Sequence, residues 1–365
     1  MACELVIFFP FWTVLLISAS SNDVAEEPLF SAMFVFGDSL LDSGNNNYLN
    51  TFAKANFTPY GIDFSEGPTG RFTNGKTLAK TFPGELNYAS AASGILEETG
   101  RNLGEHISFS HQVQNFKTTV RQLKIQMEER KLSQPLANSL AVVDHGNNDY
   151  INNYLIPEQY GSSFLYNSKE YADFLIKLYK GKILTLHGLG LRKFLLGGLA
   201  PLGCIPSQLS TGLAPPGECR SYVNDIVDMF NVLLRSLVDQ LNANHHGSIF
   251  VYGNTYRIFS ELIHNAKAYV WWDLSCTGFT VTDTGCCGIG RNLGQITCLP
   301  LFVSCEDRDR YLFWDPFHTT EAVNKIVACR AFAGPPFDCY PLNIKLMAQM
   351  YGHNKTSLTS IVSKN

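Results

Sequence analysis

Ser39 stands directly after Gly37-Asp38, where a short apolar run, Ala32 to Phe36, comes to its end. A serine in that position is open to approach from one side, as a nucleophile must be, although serines after strands also cap helices. Asp315 and His318 lie three residues apart in Asp315-Pro316-Phe317-His318. That spacing can bring both side chains to one side of a turn, where a carboxylate fixes the tautomer of an imidazole and stabilises its protonated form. The plainer alternative is a helix-capping Asp315 and a surface His318. Asn148, in Gly146-Asn147-Asn148-Asp149, offers a side-chain N–H to an oxyanion. Gly94, closing the run Asn87 to Gly94, offers a backbone N–H. Both residue types also favour turns for backbone reasons. Each feature is weak alone; in this order they compose the parts of an acyl-transfer site. The sequence has no G-x-S-x-G elbow and no H-E-x-x-H zinc motif.

The elements that must carry these residues alternate in type. Short apolar runs at 32–36, 139–143, 193–196 and 248–252 read as buried strands. Helical patterns fill 105–132, 169–186 and 221–244, and a closing helix is expected from Thr319 to Ala331. Such alternation implies a mostly parallel sheet covered on both faces, with ligands at the carboxyl ends of its strands. The Gly/Asn/Pro-rich stretch from Asp42 to Gly75 reads as a long surface loop. Within it, Gly70 to Thr77 matches the phosphate-loop pattern G-x-x-x-x-G-K-S/T. No apolar strand precedes it and Pro83 follows closely, so an ordinary turn is expected and no nucleotide.

The chain has 365 residues, 45% hydrophobic and 16% charged, with a net charge of −4. That balance excludes a disordered chain and a polyanion-binding one, so no nucleic-acid partner is expected. Leu5 to Ile17 is an apolar core followed by the small residues Ser18-Ala19-Ser20, which reads as a signal peptide over residues 1–20, despite Glu4 and the absence of a basic residue before it. No transmembrane segment is expected in the remainder. Asn56 and Asn354 begin N-x-S/T sequons and are candidate glycosylation sites. Removing Cys3 with the signal leaves nine of the ten cysteines, an odd number for an exported chain.

The residues Phe34-Val35-Phe36-Gly37-Asp38-Ser39-Leu40 through Asn46 resemble the first conserved block of the plant GDSL esterase/lipases, a branch of the SGNH hydrolases. Gly94 matches the glycine of the second block, Asn148 the asparagine of the third, and Asp315 with His318 the fifth. The resemblance runs from about residue 32 to 350. It implies a flavodoxin-like three-layer α/β/α sandwich, α/β in class, with one hydrolase domain over 28–352 and a tail over 353–365. It also implies ester hydrolysis without metal or cofactor, acting on a small acyl ester or lipid. Carried onto this chain, the family pattern makes Ser39 the nucleophile, His318 the base and then the acid, and Asp315 the group orienting His318. The N–H groups of Ser39 and Gly94 and the side chain of Asn148 form the oxyanion hole. The protein is expected outside the cell or in the cell wall.

Two stretches depart from the family. Only 11 residues separate Gly75 from Asn87, leaving little room for a helix there. Lys267 to Gly278 is longer and more apolar than in relatives, with Trp271 and Trp272, and reads either as a lid or as an irregularity of the gene model. Without Cys276 in that stretch, eight mature cysteines remain, a set that can pair fully. A chain so altered also admits the alternative of a catalytically impaired, GDSL-like binding or storage glycoprotein.

Overall fold

A computed structural model of the chain describes residues 29–78, 85–126, 128–266 and 278–350. The signal segment, Asn354, most of the short 76–86 stretch and nearly all of 267–278, with Cys276, lie outside the described residues.

The strands are β1 (Met33–Gly37), β2 (Glu85–Asn87), β3 (Leu140–Asp144), β4 (Lys193–Gly197), β5 (Ile249–Gly253), β6 (Val281–Gly285), β7 (Tyr311–Phe313) and β8 (Cys339–Tyr340). The main helices are α1 (Phe109–Gln126), α2 (Glu129–Ala137), α3 (Ser168–Gly188), α4 (Ser221–Asn244), α5 (Thr255–His264), α6 (Glu321–Ala333) and α7 (Ile344–Gln349). The central sheet has the order β2-β1-β3-β4-β5-β8. It is parallel except at β8, which runs against β5.

Both faces of this sheet are buried, which is why its strands read as unbroken apolar runs. Phe34 and Phe36 of β1, Ala141 and Val143 of β3, and Phe194 and Leu196 of β4 face one side, with the buried stripes of α1, α3 and α4. Met33, Val35, Leu140 and Val251 face the other, with Ile344 and Met347 of α7. The result is a three-layer α/β/α sandwich. On α4 the stripe Val223, Ile226, Val227, Phe230, Leu234, Leu237, Val238 and Leu241 has the three- and four-residue spacing of a helix face. α3 starts on a reciprocal cap: Asn167 Oδ1 accepts the Glu170 N–H at 3.0 Å while Glu170 Oε2 accepts the Asn167 N–H at 3.0 Å. Gly181 is tolerated inside it.

Three expectations need correction. The pattern over 105–132 is two helices, because Glu128 is extended (ψ 139°) and starts α2 afresh. The closing helix begins at Glu321, since Thr320 is extended and Thr319 Oγ1 donates to Asn324 Oδ1 at 2.7 Å. The 42–75 stretch is only in part a surface loop: Tyr48, Phe52 and Asn56 are exposed, but Asn46, Ala55, Tyr60, Arg71, Thr73 and Asn74 are buried in it. Its asparagines take the place of a strand ladder. Asn45 Nδ2 donates to the Asn87 and Ala89 carbonyls, and Asn46 Nδ2 to those of Ala53 and Ala91.

The cysteines pair as Cys204–Cys219, Cys286–Cys305 and Cys287–Cys298. Cys339 keeps a buried thiol against the Ala331 carbonyl, so the eight do not pair fully. The bridges of 286–305 build a small second core with Ala55, Tyr60, Phe72 and Trp314, which packs beneath the segment carrying Asp315 and His318.

Candidate active site

Ser39 lies in the turn that leaves β1, where the Asp38 carbonyl accepts the N–H groups of Leu41 and Asp42 at 3.2 and 2.9 Å. The end of the strand is clasped from α1. Gln112 Oε1 accepts the Gly37 N–H at 3.0 Å and Gln112 Nε2 donates to the Gly37 carbonyl at 2.9 Å. Asp315 and His318 lie in a tight turn after β7, closed by the Trp314 N–H donating to the His318 carbonyl at 2.7 Å.

These two turns, 279 residues apart, meet: Ser39 Oγ lies 2.8 Å from His318 Nε2. His318 Nδ1 lies 2.8 Å from both carboxylate oxygens of Asp315. With Nδ1–H given to the carboxylate, Nε2 is left to accept the serine proton. Asp315 Oδ1 also accepts the Phe317 and His318 N–H groups at 2.9 Å, and the Tyr60 hydroxyl donates to Oδ2 at 2.7 Å. Burial pushes the Asp315 carboxyl up, but His318 and these donors outweigh it and hold it below its ordinary value. Burial, reinforced by the charge of Asp315, pushes the Tyr60 phenol well above its ordinary value, so it stays a donor. The Phe72 ring covers the imidazole at 4.8 Å. Neither Tyr60 nor Gln112 announces itself in the sequence, since each acts across a long separation from within an unremarkable segment.

Asn148 is buried beside Ser39 in the cavity wall. Its Nδ2 donates to the Ser93 carbonyl at 3.0 Å and its Oδ1 accepts from Asn152 at 2.7 Å, which fixes the amide. Gly94 is not brought to the cavity. A Cβ there would meet the Asp149 carboxylate at 2.6 Å and Thr99 at 2.5 Å, so close packing explains this glycine. The Asp149 carboxylate accepts the N–H groups of Ile95 and Leu96 and the Thr99 hydroxyl. Ala92 lines the cavity instead, in the left-handed conformation at φ 68°. Asn56 is exposed. The Gly70–Thr77 run packs against the start of α6: Asn74 Oδ1 accepts the Glu321 N–H, and the Lys76 carbonyl accepts from Asn324.

The cavity over Ser39 measures about 210 Å³, with Phe52, Leu103, Ile151, Leu202, Phe259 and Phe317 among its walls. Its polar floor holds two carboxyls, Asp38, which directly follows β1, and Asp144, which ends the adjacent β3. Burial pushes Asp38 up to about 6, against the pull of the Leu40 N–H and His318. Burial and the charge of Asp38 push Asp144 up to about 8. A folded carboxyl titrating above its unfolded value of about 4 binds a proton on folding, so its contribution is whole below about pH 4 and lost as pH rises to about 8. Asp144→Asn is therefore expected to melt higher than the parent at pH 8.5, by on the order of 5 °C, with the gap closing toward pH 4.5. A gap that stays constant with pH in calorimetry would contradict this protonation.

The model of the GDSL-like lipase/acylhydrolase family matches residues 33–331. The chain belongs to that family. It shares 46% identity with GDSL esterase/lipase At5g08460 of Arabidopsis thaliana over 96% of both chains. It shares 46% with GDSL esterase/lipase At1g71250 of the same plant, over 93% of this chain and 94% of that one. Among solved structures, phospholipase A1 from Streptomyces albidoflavus NA297 aligns at a TM-score of 0.33 and 12% identity, covering 80% of this chain and 94% of that one, a likeness too slight to bear on fold or substrate. As a GDSL family member the chain is a carboxylic ester hydrolase.

Proposed function

We propose that this GDSL hydrolase cleaves esters of apolar acyl groups through an acyl-Ser39 intermediate. The observation that carries the reading is the unbroken chain of hydrogen bonds from Ser39 Oγ through His318 to the buried Asp315 carboxylate. Ser39 Oγ attacks the ester carbonyl as its proton passes to His318 Nε2. The imidazolium then gives that proton to the departing alkoxide, leaving the acyl group on Ser39. Water, deprotonated by His318, attacks the acyl carbon, and the acid leaves as Ser39 recovers its proton.

Negative charge that develops on the carbonyl oxygen is met by three donors. They are the Ser39 N–H, the second Nδ2 hydrogen of Asn148, and the Ala92 N–H, which takes the part expected of Gly94. The Ser39 and Ala92 N–H groups have no protein acceptor among the described residues. The apolar walls favour acyl or lipid esters, and no step calls for a metal or cofactor. Purified protein treated with a fluorophosphonate probe is expected to gain one adduct on Ser39. Labelling at another residue, or none at all, would overturn the reading.

The mature chain acts outside the cell or in its wall. The signal-like N-terminus, the three disulfides and the exposed Asn56 support this. Protein expressed in plant cells is expected in the culture medium with an N-terminus near residue 21. Retention of Met1 in a cell-bound product would count against export.

A further inference from the structure

Behind the cavity over Ser39 lies a second, smaller chamber of about 70 Å³. Its walls are apolar, with Val142, Leu195, Ile258, Val327 and Ile344 among them. Leu78, Asp144 and Thr255 line both chambers, so the two adjoin at these residues. Two of these three are polar, and they stand between the floor of the Ser39 cavity and the apolar walls of the second chamber.

Asp144 is 6% exposed, and its Oδ1 is buried without a hydrogen-bond partner among the described residues. A buried polar atom left unpaired costs free energy comparable to a lost hydrogen bond, and most such atoms in folded proteins have partners. Among the described residues the Asp144 carboxyl accepts no backbone N–H and faces no cation, unlike Asp149 and Asp315, and Gly197 leaves room for it: a Cβ there would lie 3.0 Å from the Asp144 carboxyl carbon. The catalytic chain of Ser39, His318 and Asp315 does not include it.

We propose that Asp144 is a specificity-determining residue: it hydrogen-bonds an oxygen substituent, a hydroxyl or oxo group, on a long substrate chain that runs from Ser39 past Asp144 and Thr255 into the second chamber. This rests on the ester-hydrolase reading above and names the substrate class for it, esters of oxygenated long-chain acids. The chemistry matches at each point along the path. Methylenes beyond the substituent meet the apolar walls of the second chamber, and the substituent meets the unpaired Oδ1 of Asp144. Burial keeps that carboxyl protonated near neutral pH, so it can donate to an oxo group or donate and accept with a hydroxyl. A plain hydrocarbon chain in the same path leaves Asp144 unpaired, and its binding bears that cost.

The test compares methyl stearate with a set of methyl hydroxystearates carrying the hydroxyl at successive positions, with 4-nitrophenyl butyrate as a short reference. At least one hydroxystearate is expected to show kcat/KM about ten-fold above stearate. In Asp144→Leu, close in size, that preference should vanish through loss on the hydroxylated ester rather than on stearate. Binding of free 12-hydroxystearic and stearic acids to Ser39→Ala gives a second readout that needs no turnover. Equal kcat/KM for stearate and every hydroxystearate would overturn the proposal, as would a preference that survives Asp144→Leu. Butyrate turnover that depends on Ser39, with no such preference, would sink this inference and leave the hydrolase reading intact. Absence of butyrate turnover would sink the hydrolase reading, and the binding comparison would then decide this one.

Discussion

Ser39→Ala is expected to lower kcat for 4-nitrophenyl butyrate by on the order of 10⁴-fold or more, leaving KM within a few-fold of the parent. The size follows from what is removed. Without Oγ there is no acyl-enzyme, and the remaining route is direct attack by water, for which the site has no holder as well placed as the Ser39 turn. The fold should not suffer. Ser39 Oγ has His318 as its bonding partner, and the strand end is held by Gln112 through the neighbouring Gly37. Rapid-quench or stopped-flow release of 4-nitrophenol separates the two steps: the parent should show a burst of about one equivalent wherever deacylation limits, and the variant none. An inactive variant with an unchanged melting curve supports the nucleophile. Comparable rates for the two proteins would mean that Ser39 carries no covalent step, and would favour the binding or storage protein over the enzyme.

Much of this arrangement was legible in the residues, for identifiable reasons. The central strands are buried on both faces, so β1, β3, β4 and β5 each stand out as an apolar run. The run of α4 keeps its period for 24 residues, so its limits, Ser221 and Asn244, agree with the sequence pattern. Asp315 and His318 are legible because their pairing is local, within one turn. What was hidden depends on distance or on backbone shape. Tyr60 reaches Asp315 across 255 positions and Gln112 reaches Gly37 across 75, and no local pattern encodes either. At Gly94 glycine is demanded by packing as well, since a Cβ there would meet the Asp149 carboxylate. The left-handed residue that lines the cavity is Ala92, a type that gives no hint of its φ. The 42–75 stretch looked solvent-facing because its composition is that of turns. Its asparagine side chains instead satisfy backbone carbonyls as a sheet would, and so let the segment be buried.

Asp315→Asn should lower kcat by about 10³- to 10⁴-fold, with Ser39 and His318 still present. An amide at this position can offer its NH₂ to Nδ1 and so favours the tautomer with the proton on Nε2. That proton faces Ser39 Oγ and removes the base. The amide also withdraws the charge that stabilises His318 once it is protonated. A melting curve measured beside the pH profile separates this from simple loss of structure. His318 must be neutral to accept the serine proton, so the parent's kcat/KM is expected to rise with pH until that group is deprotonated. Asp315 adds no acid limb above about pH 4, because its carboxyl is held below its ordinary value and stays ionised throughout. In the asparagine variant the plateau should fall while the melting curve stays that of the parent. Tyr60→Phe supplies the contrast. It removes one of the donors to Asp315 while the Phe317 and His318 N–H groups and the imidazole remain, so roughly a ten-fold loss or less is expected. A small effect of Asp315→Asn beside a large one of Tyr60→Phe would reverse the assigned roles and point to the phenol, not the carboxylate, as the partner on which His318 depends.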